Sequence, residues 1–180
     1  MIMKYAQGLQ RLLVLVLVAG LGACATLDAG RAPELDKSAR WVLLPAVNNT
    51  ETVQAAARLE AITASLLRSQ GVKELLLYPA TAADDLLGPA DRRAQEAALA
   101  WARSQNARYA VIGSVQEWRY KTGLDGEPAA GVALTIIDVG SGQVLWTGTG
   151  ARTGWSREAV AAVAQKLIAS LVHDALGNAK

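Results

Sequence analysis

From residue 40 to residue 180, strand-length apolar runs alternate with helix-length amphipathic ones. That alternation restricts the chain to a sheet covered by helices. Trp41-Val42-Leu43-Leu44-Pro45 reads as a buried strand closed by proline. Asn48-Asn49-Thr50 offers caps for a helix over 52–70, with Leu59, Ile62 and Leu66 on its apolar face and Gly71 as its left-handed stop. Glu74 to Pro79 is a second short strand. A helix over 91–105 follows, with Ala94, Ala97, Ala98 and Trp101 on one face and Asn106 as C-cap. Tyr109 to Val115 is a third strand, extending through Trp118 to Tyr120. Val132 to Val139 and Gln143 to Thr149 are joined by Gly140-Ser141-Gly142, which is hairpin chemistry. The last helix takes Ser156 as N-cap and Glu158 in its first turn, has Val160, Val163, Leu167, Leu171 and Val172 as core stripe, and ends at Gly177. The order is β-α-β-α-β-β-β-α, and the fold class is a mixed-sheet α/β sandwich with helices on both faces of the sheet.

Composition removes most catalytic possibilities. The chain has one Cys and one His in 180 residues, too few for a Cys/His zinc site or a disulfide framework. Gly140-Ser141-Gly142 is too short for a phosphate loop, and Gly148-Thr149-Gly150 lacks the lysine. Adjacent His173 and Asp174 do not face each other on a helix, so His173 reads as a surface or packing residue. Asp84-Asp85 reads as solvated loop chemistry. The chain is read as no enzyme, with no cofactor and no metal. With 18 basic and 16 acidic residues it has no electrostatic footprint for nucleic acid.

The N-terminus sets the compartment. Lys4 and Arg11 precede a short apolar run, Leu12 to Ala19, too short to span a bilayer and typical of a secretory leader. The run closes in Leu21-Gly22-Ala23-Cys24, which resembles the lipobox of bacterial lipoproteins. The resemblance implies cleavage before Cys24 and acylation, palmitate included, of that residue. Ala25 in place of Asp implies sorting to the outer membrane. Several acyl chains give a stable anchor where one does not. Loss of the leader with Lys4 and Arg11 leaves 16 basic and 16 acidic residues, a neutral balance. The expected organisation is a signal peptide over 1–23, an acylated flexible tether over 24–39, and one periplasmic α/β domain over 40–180.

Further motifs point to a family. Ala107 to Val115 resembles the helix-to-strand step of TolB-N-like and curli-secretion-like periplasmic domains. Trp41-Val42-Leu43-Leu44-Pro45, the stretch from Val115 to Pro128, and Gly154-Trp155-Ser156-Arg157-Glu158 together resemble the PelC family, outer-membrane lipoproteins of the Pel exopolysaccharide export system of biofilms. The resemblance spans nearly the whole mature domain. It implies a homo-oligomeric ring of about twelve subunits under the outer membrane. Such a ring would guide a cationic amino-sugar polymer to an outer-membrane porin, with outer-membrane lipid as a further partner. It also implies residue roles. Asp125 would line an electronegative pore, and Glu127 joins it as a neighbour on the same loop. Trp155 would belong to an aromatic belt at the membrane.

Each role has a plainer alternative on the residues alone. Asp125-Gly126 is a common turn pair. Trp155 before a helix start suits a hydrophobic staple packed back onto the helix. Trp41 and Trp101 read as core, and Trp118 and Trp146 as core or subunit interface. The competing function is a related periplasmic lipoprotein that regulates a cell-wall synthase or forms another secretion assembly.

Overall fold

The computed structural model describes residues 25–31, 33–79, 92–122 and 126–177. Within these, seven strands form one mixed sheet with three helices against it. The strands are β1 (Ala25–Ala29), β2 (Arg40–Leu43), β3 (Val47–Asn48), β4 (Glu74–Leu77), β5 (Tyr109–Tyr120), β6 (Pro128–Asp138) and β7 (Val144–Thr153). The helices are α1 (Ala55–Ser69), α2 (Arg92–Ser104) and α3 (Val160–Ala175). Spatial order is β1-β7-β6-β5-β2-β4, with β3 beside β5. Pairing is parallel among β2, β3, β4 and β5, and antiparallel from β5 through β6 and β7 to β1. The expected mixed α/β architecture is the one observed.

Topology explains why helices lie on both faces. The β2-α1-β4 crossover moves outward to the sheet edge, whereas β4-α2-β5 returns across β2. Two parallel crossovers of the same favoured hand, running in opposite directions, place their helices on opposite faces. Side-chain alternation records this. Trp41, Leu43, Tyr109 and Val111 belong to the core under α1 and α3. Their neighbours Val42, Leu44 and Ala110 pack instead with Ala98 and Ala102 of α2.

Two strands go beyond the sequence expectation. The stretch 24–39 reads as a tether without regular structure, yet Ala25–Ala29 pairs with β7 from Ala25↔Arg152 to Ala29↔Gly148. The Trp146 indole nitrogen donates to the Gly30 carbonyl at 2.9 Å, and the Gly30 amide donates to the Thr147 carbonyl at 3.1 Å. β3 continues the line of β2 along β5 after a break at Pro45, which has no amide hydrogen to give the ladder. The next amide, Ala46, donates to the Glu60 carboxylate of α1 at 2.7 Å.

Both expected N-caps are corrected. α1 starts at Ala55 after Gln54, which has φ 62 and no capping side chain. Asn48 instead builds the preceding turn, accepting from the Thr50 amide and hydroxyl at 3.1 and 2.7 Å. α3 starts at Val160 after Ala159, so Ser156 caps nothing and Glu158 precedes the helix. The C-terminal signals hold: Gly71, Asn106 and Gly177 have φ of 100, 54 and 69.

Trp118 and Trp146 are buried within the chain, as is Trp41, whose indole lies 4.6 Å from the Tyr109 ring. Trp101 is half-buried and meets Tyr78 edge-on at 5.2 Å. Gly148 gives Trp146 its place, since a Cβ there would collide with the indole. Along β5 the register shifts between Val115 and Glu117. The extra residue, Gln116, restores Trp118 to the same core as Val115.

Candidate functional site

Two of the residues singled out by the sequence, Glu127 and Trp155, lie at one end of the sheet. Arg119↔Ala129 and Tyr120↔Pro128 close β5 against β6. Ala129↔Thr153 and Ala130↔Arg152 close β6 against β7, and Ala25↔Arg152 brings the start of β1 to the same row. This end therefore gathers the β5–β6 loop, the β7–α3 connection and the point where the chain enters from Cys24.

Two of the four candidate residues can be placed here. Cys24 and Asp125 lie outside the described residues, as do Asp84 and Asp85. Glu127 is exposed just ahead of β6. Its carbonyl accepts from the Lys121 amide at 2.7 Å, and its carboxylate lies 3.9 Å from the Lys121 ammonium. Lysine thus offsets part of its charge, although between solvent-accessible side chains such a pair is weak.

Trp155 stands out because of Gly154. The Gly154 amide donates to the Pro128 carbonyl at 2.9 Å. A Cβ at position 154 would collide with Val163 of α3 and with the Glu158 carboxylate. Glycine lets the chain pass close under α3 while the next side chain turns away. Trp155 is 61% exposed, so the staple alternative fails: a staple would be packed against its helix. The Trp155 carbonyl accepts from the Glu158 amide at 2.8 Å, which closes the turn.

Glu158 fixes this turn to α3. Its carboxylate accepts from the Lys166 ammonium at 2.5 Å. That hydrogen bond, and then the charges of Lys166 and Arg152, hold its pKa below the ordinary glutamate value against the opposing effect of desolvation. At the other end of the sheet, Asp138 is lowered in the same direction by the Ser141 amide and hydroxyl in the β6–β7 hairpin.

Sequence reasoning missed two residues at this end. Tyr120 is 54% exposed at the close of β5, and its hydroxyl reaches the Glu158 carbonyl at 3.4 Å. Val53 is 78% exposed in the turn before α1, where the Thr52 hydroxyl donates to the Trp118 carbonyl at 2.5 Å. Only their positions, an aromatic at a strand end and a valine among polar turn residues, hinted at them.

Elsewhere, α2 covers only part of the sheet face opposite α1 and α3, over Val42, Leu76, Ala110 and Val139. The remainder forms an open trough of about 750 Å³, lined in part by Thr26, Asp28, Glu117, Gly131, Thr149 and Ala151. His173 lies in the last turn of α3 with Nδ1 3.8 Å from the Asp174 carboxylate. Among the described residues no three His, Cys, Asp or Glu side chains gather as a metal site, and no helix is long and apolar enough to cross a membrane.

The chain is similar to a solved structure of a PelC dodecamer from Paraburkholderia phytofirmans. Identity is 40% over 87% of this chain and 100% of that one, with a TM-score of 0.73. A point variant of the same protein, in another crystal form, matches at 40% identity over 86% of this chain and 99% of that one, with a TM-score of 0.73. A lipoprotein from Neisseria meningitidis shares the fold at 19% identity, 78% and 99% coverage and a TM-score of 0.55. No protein-family profile and no curated protein matches the sequence.

Proposed function

The chain belongs to the PelC family, and from that premise we propose that it is a lipid-anchored structural component of an exopolysaccharide export machine. It forms a ring of about twelve subunits beneath the outer membrane, and the ring passes a cationic amino-sugar polymer to an outer-membrane porin. The observation that carries this reading is 40% identity, over the full length of the relative, to a protein that forms a dodecamer. The role needs no catalytic residue.

Cys24 carries the acyl anchor, with the domain facing the periplasm. Asp125 supplies the pore charge. A closed ring repeats one carboxylate at every subunit, so a neutral subunit still builds a focused negative field. Many weak contacts attract a polycation without trapping it, and salt screens them over about 8–10 Å. Glu127 takes the smaller share, because Lys121 stands beside it. Trp155 seats the ring at the membrane–water interface, where an indole is favoured. Its exposure supports that role.

Native mass of the acylated protein in detergent, with single-particle imaging, tests the assembly. A closed ring of about a dozen subunits is expected; a stable monomer at micromolar concentration overturns the pore. Asp125→Ala should reduce polymer export with the ring intact, and unchanged export removes Asp125 from the mechanism. Trp155→Ala should loosen membrane seating with the unfolding midpoint unchanged.

A further inference from the structure

We propose that the outer edge of β7 is a strand-acceptor site, filled by β1 of the same chain in this structure and by residues 25–29 of a second copy on assembly, so that β1 is an exchangeable strap. The inference goes beyond the ring proposed above and needs no lipid anchor.

The sheet ends in β4 on one side and β1 on the other. β4 guards its own edge. It has four residues, its first, Glu74, pairs with Arg40 at 2.6 Å, and Pro79 follows shortly after its end. β7 has no such guard. From Gly148 to Ala151 it offers only glycine, threonine and alanine, with no charge and no proline. The register shift in its pairing with β6 lies earlier, opposite Ile136 and Ile137. A flat, uncharged edge of this kind invites another strand. β1 closes it, from Ala25↔Arg152 to Ala29↔Gly148, and brings a charge, Asp28, to the new edge.

The acceptor is built by β7 and α3. A Cβ at Gly150 would lie 2.7 Å from the Leu167 side chain and 3.1 Å from the Thr26 carbonyl oxygen, so glycine leaves room for the helix behind it and the strand beside it. The Leu27 side chain comes to 3.5 Å from the same point. The Trp146 indole and the Thr147 carbonyl then bond Gly30, just past the strand. Backbone pairing plus a side-chain notch is how sheet edges recognise extended segments. The segment that fits is five residues long with leucine in the middle. β1 itself is exposed at Ala25, Thr26, Leu27 and Asp28, and elements with so little burial open first. The bonds that hold it come from β7, so they are the same whichever copy supplies the strand. Exchange of an identical element between copies is a low-cost route to association, and the relative at 40% identity is a dodecamer.

The test uses two differently tagged full-length chains produced together, one with Thr26→Cys and the other with Ala151→Cys. These positions face each other across the ladder and both are exposed. Cys24→Ala in every variant makes the introduced cysteines the only thiols. A short bis-maleimide should link the two tags, and Leu27→Asp in the Thr26→Cys chain should lower the yield several-fold. A single chain carrying both cysteines links internally in the closed form and shows that the reagent spans the ladder. Internal links without links between tags overturn exchange. Links between tags that ignore Leu27→Asp mean that the copies are only neighbours, and they overturn the acceptor site. No link of either kind overturns the strap altogether. Native mass of the same samples reports the ring separately. A ring without links between tags keeps the assembly and removes the strap, whereas links in a smaller oligomer keep the strap and remove the ring.

Discussion

The two faces of the sheet are built to different densities. Under α1 and α3 the core is thick, with Trp41, Tyr109, Trp118, Leu134, Ile136 and Leu167 among its buried members. Under α2 it is thin. Alanines at 98, 102, 107 and 110 bring helix and sheet close together, with Val42, Leu44 and Val139 between them. Beyond the reach of α2 that face becomes the open trough, where small residues such as Thr149, Gly131 and Ala151 stand beside the charged Asp28 and Glu117. One face therefore carries stability, whereas the other carries shape. Hydrophobic stabilisation scales with apolar area removed from water, so the thick face should dominate unfolding energetics.

Substitutions on the two faces should separate these contributions. Trp41→Ala should cost most, about 3–5 kcal/mol. Trp41 is fully buried, donates to the Asp36 carbonyl at 3.1 Å and packs on Tyr109. Denaturant unfolding measures the loss, and a cost under about 1 kcal/mol would dissolve the contrast. Ala102→Leu tests the thin face by overfilling it. Ala102 is fully buried, and the added bulk should cost about 1–3 kcal/mol. A stabilised variant would mean that the α2 face is loosely packed rather than close.

Lys166→Met probes the link between α3 and the Trp155 turn. Glu158 has a folded-state pKa below its unfolded value. Its stabilisation is therefore present above the ordinary glutamate pKa and is lost as pH falls through the lowered one. The variant should show a smaller drop in unfolding midpoint from neutral pH into the acid range than the parent chain. Equal acid profiles would detach Glu158 from the stability of this turn. The smallest effect belongs to Thr149→Lys, in the open trough, which should shift stability by less than about 0.5 kcal/mol. A larger loss would show that the trough is part of the core.

The elements legible in the sequence are those that carry their own hydrophobic pattern. β2, β4, β5, β6, β7 and all three helices announce themselves this way, and Gly71, Asn106 and Gly177 mark helix ends by a backbone geometry few residues accept. β1 and β3 carry no such pattern. Thr26 and Asp28 flank a single leucine, and the strand exists because β7 offers an edge. β3 has only two residues and exists because β5 outlasts β2. The caps mislead for a related reason: Asn48 could cap a helix or bend a turn, and only tertiary placement decides. At the candidate site, Trp155 is visible as a residue type. Its exposure follows from the packing of Gly154 under α3, which no local pattern encodes.

The shift at Gln116 has a consequence for how this chain tolerates change in length. Inward and outward positions alternate along a strand, so an extra residue resets the count. Up to Val115 the inward residues of β5 are odd-numbered, and beyond Gln116 Trp118 is inward. Deleting Gln116 would remove the bulge and leave the frame intact, with Glu117 still opposite Gly131 and Trp118 still opposite Ala130 and inward. Deleting a residue from the regular part of β5, between Tyr109 and Val115, would instead turn the side chains on one side of the cut to the opposite face of the sheet. A missing codon should therefore be borne better at position 116 than anywhere before it in this strand.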